Sequence, residues 1–467
     1  MSQINYKKAS AYYFVGNIFN KGIAFLTVPI LTRILSTYDY GIVTTYNSWV
    51  IILAIILGLA LHTGIRMAYV DYKENFDKYV SSNMLFTIVS SLVVCVLALS
   101  TVYLFKIDIS MWLVLFCLSQ AIATALIQDY DYYLMMQYRY KLRTFVMIIP
   151  GLLSVIVSII VIVFILNDNL YLGRIIPTSI IHSGIALLIV SLFFIRHGVS
   201  CKKEYIEYGL KLSTPLIVHG IALNILSQSD RIMITSLADA SQTGIYSLIY
   251  NLSMIATVIT ASFDGVWVPW FLQKMKTKEI NSIESLAEKY IFFMASAMIG
   301  LLMISPELVK ILANEEYWEG IIIVPPIIIS SFVIFMYSLY VNIEYYHKKT
   351  IFITVNTVIA AVINLILNYI FIPQAGYVAA AYTTLVSYII SFLLHFRYAK
   401  KLEAALYPLR VFALPFVLIT ISCIIFYFFI DNWVARFSIL FVYIAISAYY
   451  HREELFGLLS ELKNRGK

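Results

Sequence analysis

The stretch Ser227-Gln-Ser-Asp-Arg-Ile-Met-Ile234 places two adjacent charges, Asp230 and Arg231, inside an apolar run from Leu212 to Leu237. The run is long enough to cross a bilayer, because a spanning helix needs about 20 mostly apolar residues. Each charge costs roughly 2.5–3.5 kcal/mol near the centre of such a helix. The pair therefore indicates a membrane protein and marks a candidate functional site inside the bilayer.

The whole chain has the composition of a polytopic membrane protein. Of its 467 residues, 61% are hydrophobic and 13% are charged, whereas a soluble domain carries about 25% charged residues. Apolar runs of spanning length predict an all-α integral membrane fold with about fourteen transmembrane helices. The predicted spans are residues 9–33, 42–64, 84–105, 111–136, 144–166, 175–195, 212–237, 245–272, 289–312, 320–344, 350–372, 377–397, 411–430 and 433–450.

The distribution of basic residues predicts the orientation. With the N-terminus in the cytoplasm, an even number of spans returns the C-terminus there, and most of the 33 lysines and arginines then fall on the inner side. The outer loops hold only Lys106 and Arg174. This asymmetry follows the positive-inside rule, so both termini are predicted to be cytoplasmic. The net charge of +7 reflects anchoring at the inner leaflet and does not imply nucleic-acid binding.

Two pairs of turn glycines indicate an internal duplication. Gly41 follows the first span and Gly244 the seventh, while Gly173 follows the fifth and Gly376 the eleventh; both pairs are 203 residues apart. We predict two six-helix pseudo-symmetric lobes related by an axis along the membrane normal, plus an extra helix pair. The predicted domains are an N-terminal lobe (1–200), a C-terminal lobe (201–400) and a two-helix hairpin with a cytoplasmic tail (401–467).

The first span carries Asn17, Asn20 and Lys21 on one helix face, because their spacing is i, i+3, i+4. Lys21 lies about 18 Å from either end of the span, at 1.5 Å per residue, so its ammonium group does not reach water easily. We predict that these residues, with Arg33 at the end of the span, line a polar cavity. A structural ion pair is the alternative.

The seventh span offers Asn224, Gln228 and Arg231 for the same cavity. Neighbouring residues on a helix point about 100° apart, so Asp230 and Arg231 need not pair with each other. We predict that Asp230 either binds a coupling ion or pairs with Lys21 as a latch between the lobes. A static buried bridge between the two spans is the alternative.

Other motifs give weaker signals. Asp264 in the eighth span is a second candidate for an ion or proton site, with a hydrogen bond between helices as the alternative. Asp129-Tyr-Asp131 superficially matches the paired-aspartate metal motif of glycosyltransferases, but no nucleotide-binding domain surrounds it. The four cysteines lack metal or disulfide spacing. Phosphate-binding, zinc-hydrolase and serine-nucleophile motifs are absent from the sequence, which predicts a non-enzyme without metal or cofactor.

Three pairs of segments carry a family resemblance. They are Val28-Pro-Ile-Leu-Thr-Arg-Ile-Leu35 with Tyr40-Gly41, Ser229-Asp-Arg-Ile-Met233 with Gly244-Ile-Tyr-Ser247, and Asn364-Leu-Ile-Leu-Asn368 with Ile372-Pro-Gln-Ala-Gly376. Over residues 5–400 or so, the chain resembles the polysaccharide-export (Wzx-type) flippases. These belong to the multidrug/oligosaccharidyl-lipid/polysaccharide exporter (MOP) superfamily.

The resemblance implies a transporter of the bacterial cytoplasmic membrane that flips undecaprenyl-diphosphate-linked oligosaccharide from the inner to the outer leaflet, for O-antigen or capsule assembly. It implies this substrate, membrane lipids and polymerase or export machinery as partners. Lys21, Arg33 and Arg231 are then the cations for the diphosphate, since arginine matches phosphate through its planar fork and lysine acts as a point charge. The cycle would be alternating access coupled to H⁺, Na⁺ or the membrane potential, with Asp230 and Asp264 as coupling candidates.

Two other functions are open on the sequence alone. One is a multidrug or toxin extruder of the same superfamily, although extruders of organic cations resemble one another in an acid on the first span, where this chain has a lysine. A cavity lined by cations favours an anionic substrate. The other is a membrane glycan polymerase, which generally has a large outer catalytic loop, whereas the outer loops here are short.

Overall fold

The computed structural model describes residues 19, 22–23, 25–106, 109–450 and 452, and the ordered elements within them are helices. The α-helices are α1 (Phe25–Ile34), α2 (Thr37–Gly58), α3 (His62–Asp71), α4 (Phe76–Leu104), α5 (Met111–Met136), α6 (Tyr140–Phe164), α7 (Leu172–His197), α8 (Lys203–Leu237), α9 (Ala240–Asn251), α10 (Ser253–Thr277), α11 (Ile280–Leu312), α12 (Val324–Tyr346), α13 (Thr350–Leu402), α14 (Arg410–Phe428) and α15 (Trp433–Tyr450). Short 3₁₀ helices cover Lys73–Asn75 and Glu315–Ile323.

The all-α membrane fold is confirmed. Within the described residues, eleven helices are long and apolar enough to cross a membrane, or twelve if the bent helix α8 forms one span. The number differs from the predicted fourteen partly because most of the predicted span 9–33 lies outside the described residues. It also differs because α13 covers two predicted spans, 350–372 and 377–397. The exact number of spans stays a prediction.

Helix α13 contains a backbone break at the predicted turn. Its 53 residues are far more than the ~20 that cross a bilayer. The helical angles are interrupted at Ala375 and at Gly376, where φ is +55°. That left-handed conformation favours glycine, because a residue with a side chain is strained there. The break lies between the two predicted spans, so α13 consists of two helical halves joined at a kink.

Contacts between helices divide the chain into two compact units. The first unit joins Met1–Leu248, Leu312–Tyr317 and Thr350–Ser387, and the second joins Ile249–Ile311, Trp318–Lys349 and Tyr388–Lys467. In the first unit, α2 packs against α5 and α8, and α5 also packs against α7. The units divide the chain at other points than the predicted lobes, 1–200 and 201–400, and the division into lobes stays a prediction.

In the first unit, α2 and α9 meet through a close backbone approach at two glycines. A Cβ atom on Gly41 would overlap the carbonyl oxygen of Ala240, and a Cβ atom on Gly244 would overlap the carbonyl oxygen of Thr37. Thr37 and Ala240 are separated by the same 203 residues as the two glycines. The two contacts are therefore reciprocal, as in a two-fold symmetric interface.

Other hydrogen bonds near this approach follow the same offset. Thr44 and Ser247, whose positions differ by 203, are joined by a hydroxyl bond of 3.0 Å. Asp39 accepts a backbone N–H bond of 3.1 Å from the turn before α7. Gln242, 203 residues further on, accepts one of 3.0 Å from the residue after the break in α13. These contacts hold together the first turns of α2, α7 and α9 and the break in α13, which are predicted to face outward.

In the second unit, the guanidinium group of Arg436 attaches α15 to its neighbours. Arg436 is fully buried. Its Nε donates to the carbonyl oxygen of Met303 at 3.2 Å, and its Nη1 donates to that of Phe429 at 3.0 Å and also to that of Ile430. Its Nη2 forms an ion pair with Glu307 of α11. One side chain thus fixes the last helix to α11 and to the end of α14.

Candidate functional site

Helix α8 carries three predicted site residues, Asn224, Gln228 and Arg231, on one side, because their spacing follows the helical repeat. Only 8% of Arg231 is exposed. Its Nη1 donates to the carbonyl oxygen of Ser227 at 3.1 Å and to Oε1 of Gln228 at 3.3 Å. The amide nitrogen of Asn224 donates to the carbonyl oxygen of Gly220 at 2.9 Å. The structure therefore holds a cation and two amides on one side of an intramembrane helix.

Helix α2 faces this side of α8 with hydroxyl groups. We call Thr45, Ser48, Gln228, Arg231 and Thr235 the polar seam. Ser48 donates to Oε1 of Gln228 at 3.1 Å, and the Thr45 and Thr235 hydroxyls lie 2.6 Å apart. Thr45 also approaches the carbonyl oxygen of Arg231 at 3.4 Å. Hydrogen bonds of this kind between membrane helices contribute only about 0.6–2 kcal/mol each. The contacts between α2 and α8 at the polar seam are therefore weak enough to break and form again.

Asp230 contacts a different set of side chains from its neighbour Arg231. It is fully buried. Its Oδ2 accepts hydrogen bonds from Tyr246 at 2.5 Å and from Thr384 at 2.7 Å. Its Oδ1 accepts one from the amide of Asn368 at 2.7 Å. The two neighbouring side chains therefore make different hydrogen bonds, and the donors to Asp230 are neutral.

The donors to Asp230 are themselves linked. Asn364 donates to Thr384 at 3.1 Å, its Oδ1 accepts from Asn368 at 3.2 Å, and Thr383 donates to Oδ1 of Asn368. We call Asp230, Tyr246, Asn364, Asn368, Thr383 and Thr384 the Asp230 cluster. Its members are each buried, and they come from α8, α9 and both halves of α13. The Asp230 carboxylate is contacted by two hydroxyls and one amide nitrogen. The cluster thus contains carboxylate, hydroxyl and amide groups, whose oxygens are the ligand types that hard cations prefer.

The structure places the remaining predicted residues as follows. Asn17, Asn20 and Lys21 lie outside the described residues, so the predicted latch with Asp230 stays a prediction. Arg33 is exposed near the end of α1, and its carbonyl oxygen accepts a hydrogen bond of 3.5 Å from Asn314. Asp264 belongs to the second unit. Its Oδ1 is buried and has no hydrogen-bond partner among the described residues.

Sequence reasoning missed most of the Asp230 cluster. Asn364 and Asn368 appear among the segments that carry the family resemblance, but they were not assigned to the site. Two asparagines four residues apart within an apolar span lie on one helix face, and polar side chains inside spans mark functional sites. That signal was present. The threonines and Tyr246 gave no comparable signal, because hydroxyl residues are common in spanning helices.

Comparisons with known proteins agree with this architecture. The sequence profile of the family described as "Polysaccharide biosynthesis protein" matches residues 6–275. The chain is also 22% identical over 375 residues to "Lsg locus putative protein 1" of Haemophilus influenzae. The aligned region covers 76% of this chain and 88% of that protein.

Two solved structures are similar over most of the chain. "Lipid II flippase MurJ, inward closed conformation" matches with a TM-score of 0.68 and 16% identity, covering 95% of this chain and 99% of that one. An "inward-facing conformation of a multidrug resistance MATE family transporter of the MOP superfamily" matches with a TM-score of 0.62 and 12% identity, covering 82% and 95%. At these identities the likeness shows the fold alone, which is the multi-pass helical fold of these two structures.

Proposed function

Because the chain belongs to the polysaccharide biosynthesis protein family, we propose that it flips undecaprenyl-diphosphate-linked oligosaccharide from the inner to the outer leaflet of the cytoplasmic membrane. The observation that carries the proposal is the guanidinium group of Arg231, held inside the bilayer among amide and hydroxyl groups of the polar seam. A diphosphate is a suitable ligand for it, since arginine binds phosphate oxygens through two parallel N–H bonds. The neighbouring hydroxyls and amides are suited to sugars.

The contacts at the predicted outer ends support alternating access. The glycine approach between α2 and α9 and the bonds of Asp39 and Gln242 close this side of the first unit. A substrate that arrives from the inner leaflet needs such a closure while it binds. Release to the outer leaflet would require these contacts to separate, and reciprocal backbone contacts with few hydrogen bonds can separate without unfolding a helix.

Loss of the protein gives the direct test of the function. Deleting the gene in its natural host should cause lipid-linked oligosaccharide to accumulate in the inner leaflet and should remove surface polysaccharide, while resistance to cationic dyes stays unchanged. The measurement is the leaflet distribution of the radiolabelled glycolipid. Normal surface polysaccharide with lost dye resistance would instead indicate the drug extruder. Short surface glycans without accumulated precursor would indicate the polymerase.

We also propose that Asp230 holds the coupling ion, H⁺ or Na⁺. The carboxylate is fully buried and its donors are neutral, so a bound cation would balance its charge. The cluster joins α8, α9 and both halves of α13, so occupancy changes the packing of three helices at once. A site of this kind can link ion binding to a change between two helix arrangements.

Asp230→Asn is expected to abolish the response of transport to an ion gradient, because the amide keeps the size of the side chain and loses its charge. The measurement is glycolipid flipping in vesicles with an imposed Na⁺ or pH gradient. Asp264→Asn is the matched variant for the other coupling candidate. A full gradient response in Asp230→Asn, lost in Asp264→Asn, would move the coupling role to Asp264.

A further inference from the structure

The second unit contains a buried pair of titratable side chains that the proposed function does not use. Glu344 lies near the end of α12 and His395 lies in the second half of α13, at the ends predicted to face the cytoplasm. Nδ1 of His395 is 2.9 Å from each carboxylate oxygen of Glu344. The exposed fractions of the two side chains are 0% for Glu344 and 2% for His395. We call these two residues the Glu344 pair.

Aromatic side chains pack around the pair. The ring of Tyr337 stacks on the imidazole of His395, with centroids 5.6 Å apart and an angle of 16° between the planes. Tyr340, one turn before the carboxylate, is fully buried and donates to the carbonyl oxygen of Tyr407 at 2.8 Å. The phenol nearest along the helix is thus bonded to the backbone. The pair therefore lies in an apolar, largely dry part of the second unit.

The other charged groups at this end have partners of their own. His347 and Glu403 form a second ion pair at 2.9 Å, with exposed fractions of 29% and 30%. Lys400 donates to two carbonyl oxygens of the segment after α13 at 2.8 Å each, and Glu284 of α11 is in electrostatic contact with it. Among the described residues, His395 is the one charged group that acts on the Glu344 carboxylate.

The helices that pack against α12 add no further charge to the pair. On α10, Asp264 acts on Tyr290 of α11, and Lys274 is paired with Glu279 at 2.5 Å. On α14, Arg410 is exposed. The uncharged phenols around this end are those of Tyr250, Tyr337, Tyr340, Tyr388 and Tyr407. The charge of the pair is therefore set by its own protons.

The geometry indicates how many protons the pair holds. At 2.9 Å a proton must lie between the two groups, because a nitrogen lone pair and a carboxylate oxygen repel each other. That proton alone leaves a neutral imidazole beside a carboxylate, with one net negative charge. One further proton brings the net charge to zero. Burying an uncompensated charge is much more costly than burying a neutral pair, so the packed state favours the further proton.

We propose that the Glu344 pair is a proton-binding site, and that the bound proton keeps the end of α12 packed against the second half of α13. When the proton leaves, the remaining negative charge needs water, and the two helix ends must separate to admit it. The site shares no residue with the Asp230 cluster, which lies mainly in the first unit. It does not depend on the identity of the transported substrate.

The test is equilibrium unfolding of the purified full-length protein in detergent, repeated between about pH 7 and 9, above the range in which an ordinary histidine titrates. Over this range the folded wild type holds one proton more than the unfolded chain. Its unfolding equilibrium constant should therefore rise about tenfold for each pH unit. The stabilisation by the proton is present at the acid end of the range and is lost towards the alkaline end.

The double variant Glu344→Gln with His395→Gln replaces the pair by two amides, which can bond to each other without a charge. Its unfolding constant should lose the tenfold rise per pH unit. The matched control is His347→Gln with Glu403→Gln at the half-exposed pair, which should keep the rise.

A loss of stability in the Glu344 and His395 variant without a change in the pH dependence would show a purely structural pair and would overturn the proposal. If that variant does not fold, Glu344→Gln alone must lose the same rise. A wild-type unfolding constant that does not rise with pH would overturn the proposal without any variant.

Discussion

Replacing Arg231 by alanine is expected to lower the rate at which lipid-linked oligosaccharide reaches the outer leaflet by about ten- to hundredfold. Hydrogen bonds to charged groups contribute about 1.5–3 kcal/mol, and each 1.4 kcal/mol is a factor of ten. The measurement is the amount of surface polysaccharide at equal protein level in the membrane. The substitution also removes the donor to Gln228, so the seam loses its cation and one internal contact.

Two variants separate the charge from the shape of the side chain. Arg231→Lys keeps the charge and loses the planar fork, so we expect it to recover part of the activity. Arg410→Ala, which removes an exposed arginine at the start of α14, should behave as wild type. If Arg231→Ala also supports normal surface polysaccharide, the diphosphate is not bound at the polar seam.

Arg436→Leu is expected to destabilise the attachment of α15 by about 3–5 kcal/mol, because it leaves a buried ion pair with one partner. The change also removes the donors to three carbonyl oxygens, one within α11 and two directly after α14. The measurement is denaturant unfolding of the purified protein in detergent, followed by tryptophan fluorescence. Trp433 lies on the same helix, three residues before Arg436, and reports on its release.

The double variant Arg436→Leu with Glu307→Leu distinguishes the charge from the packing. Removing the second charge together with the first should restore part of the lost stability, since the cost of an unpaired carboxylate disappears. Arg410→Leu on α14 is the control for loss of an exposed arginine and should change the unfolding free energy by about 0.5 kcal/mol or less. A single variant as stable as wild type would show that Arg436 does not hold the last helix.

The sequence was sufficient for the features that depend on local pattern. Apolar runs predicted the spanning helices, and Gly376 predicted the turn that the structure shows as the break in α13. A glycine is needed there because φ is +55° and because Gln242 lies close to the backbone. The offset of 203 residues was readable from Gly41 and Gly244. The physical reason for a glycine at both positions, which is the close approach of two backbones, became clear only in the structure.

The features that depend on distant contacts were not predictable in the same way. Asp230 and Arg231 are adjacent in sequence, and nothing local shows that one faces α2 while the other faces α13. The donor Thr384 is 154 residues from Asp230, and its hydroxyl resembles many others in spanning helices. Asp129 and Asp131 present the same difficulty, because only the fold shows that one has Arg143 as its partner.

The most direct test of the central claim is glycolipid flipping by the purified protein in sealed vesicles. Undecaprenyl-diphosphate-linked oligosaccharide is placed in both leaflets, and the fraction that becomes accessible to an external glycosidase is followed over time. Vesicles with wild-type protein should expose nearly all of the glycolipid, while those with Arg231→Ala should stay close to the half present in the outer leaflet. Equal exposure by the two proteins, or exposure by wild type no faster than in protein-free vesicles, would contradict a flippase that binds its diphosphate at Arg231.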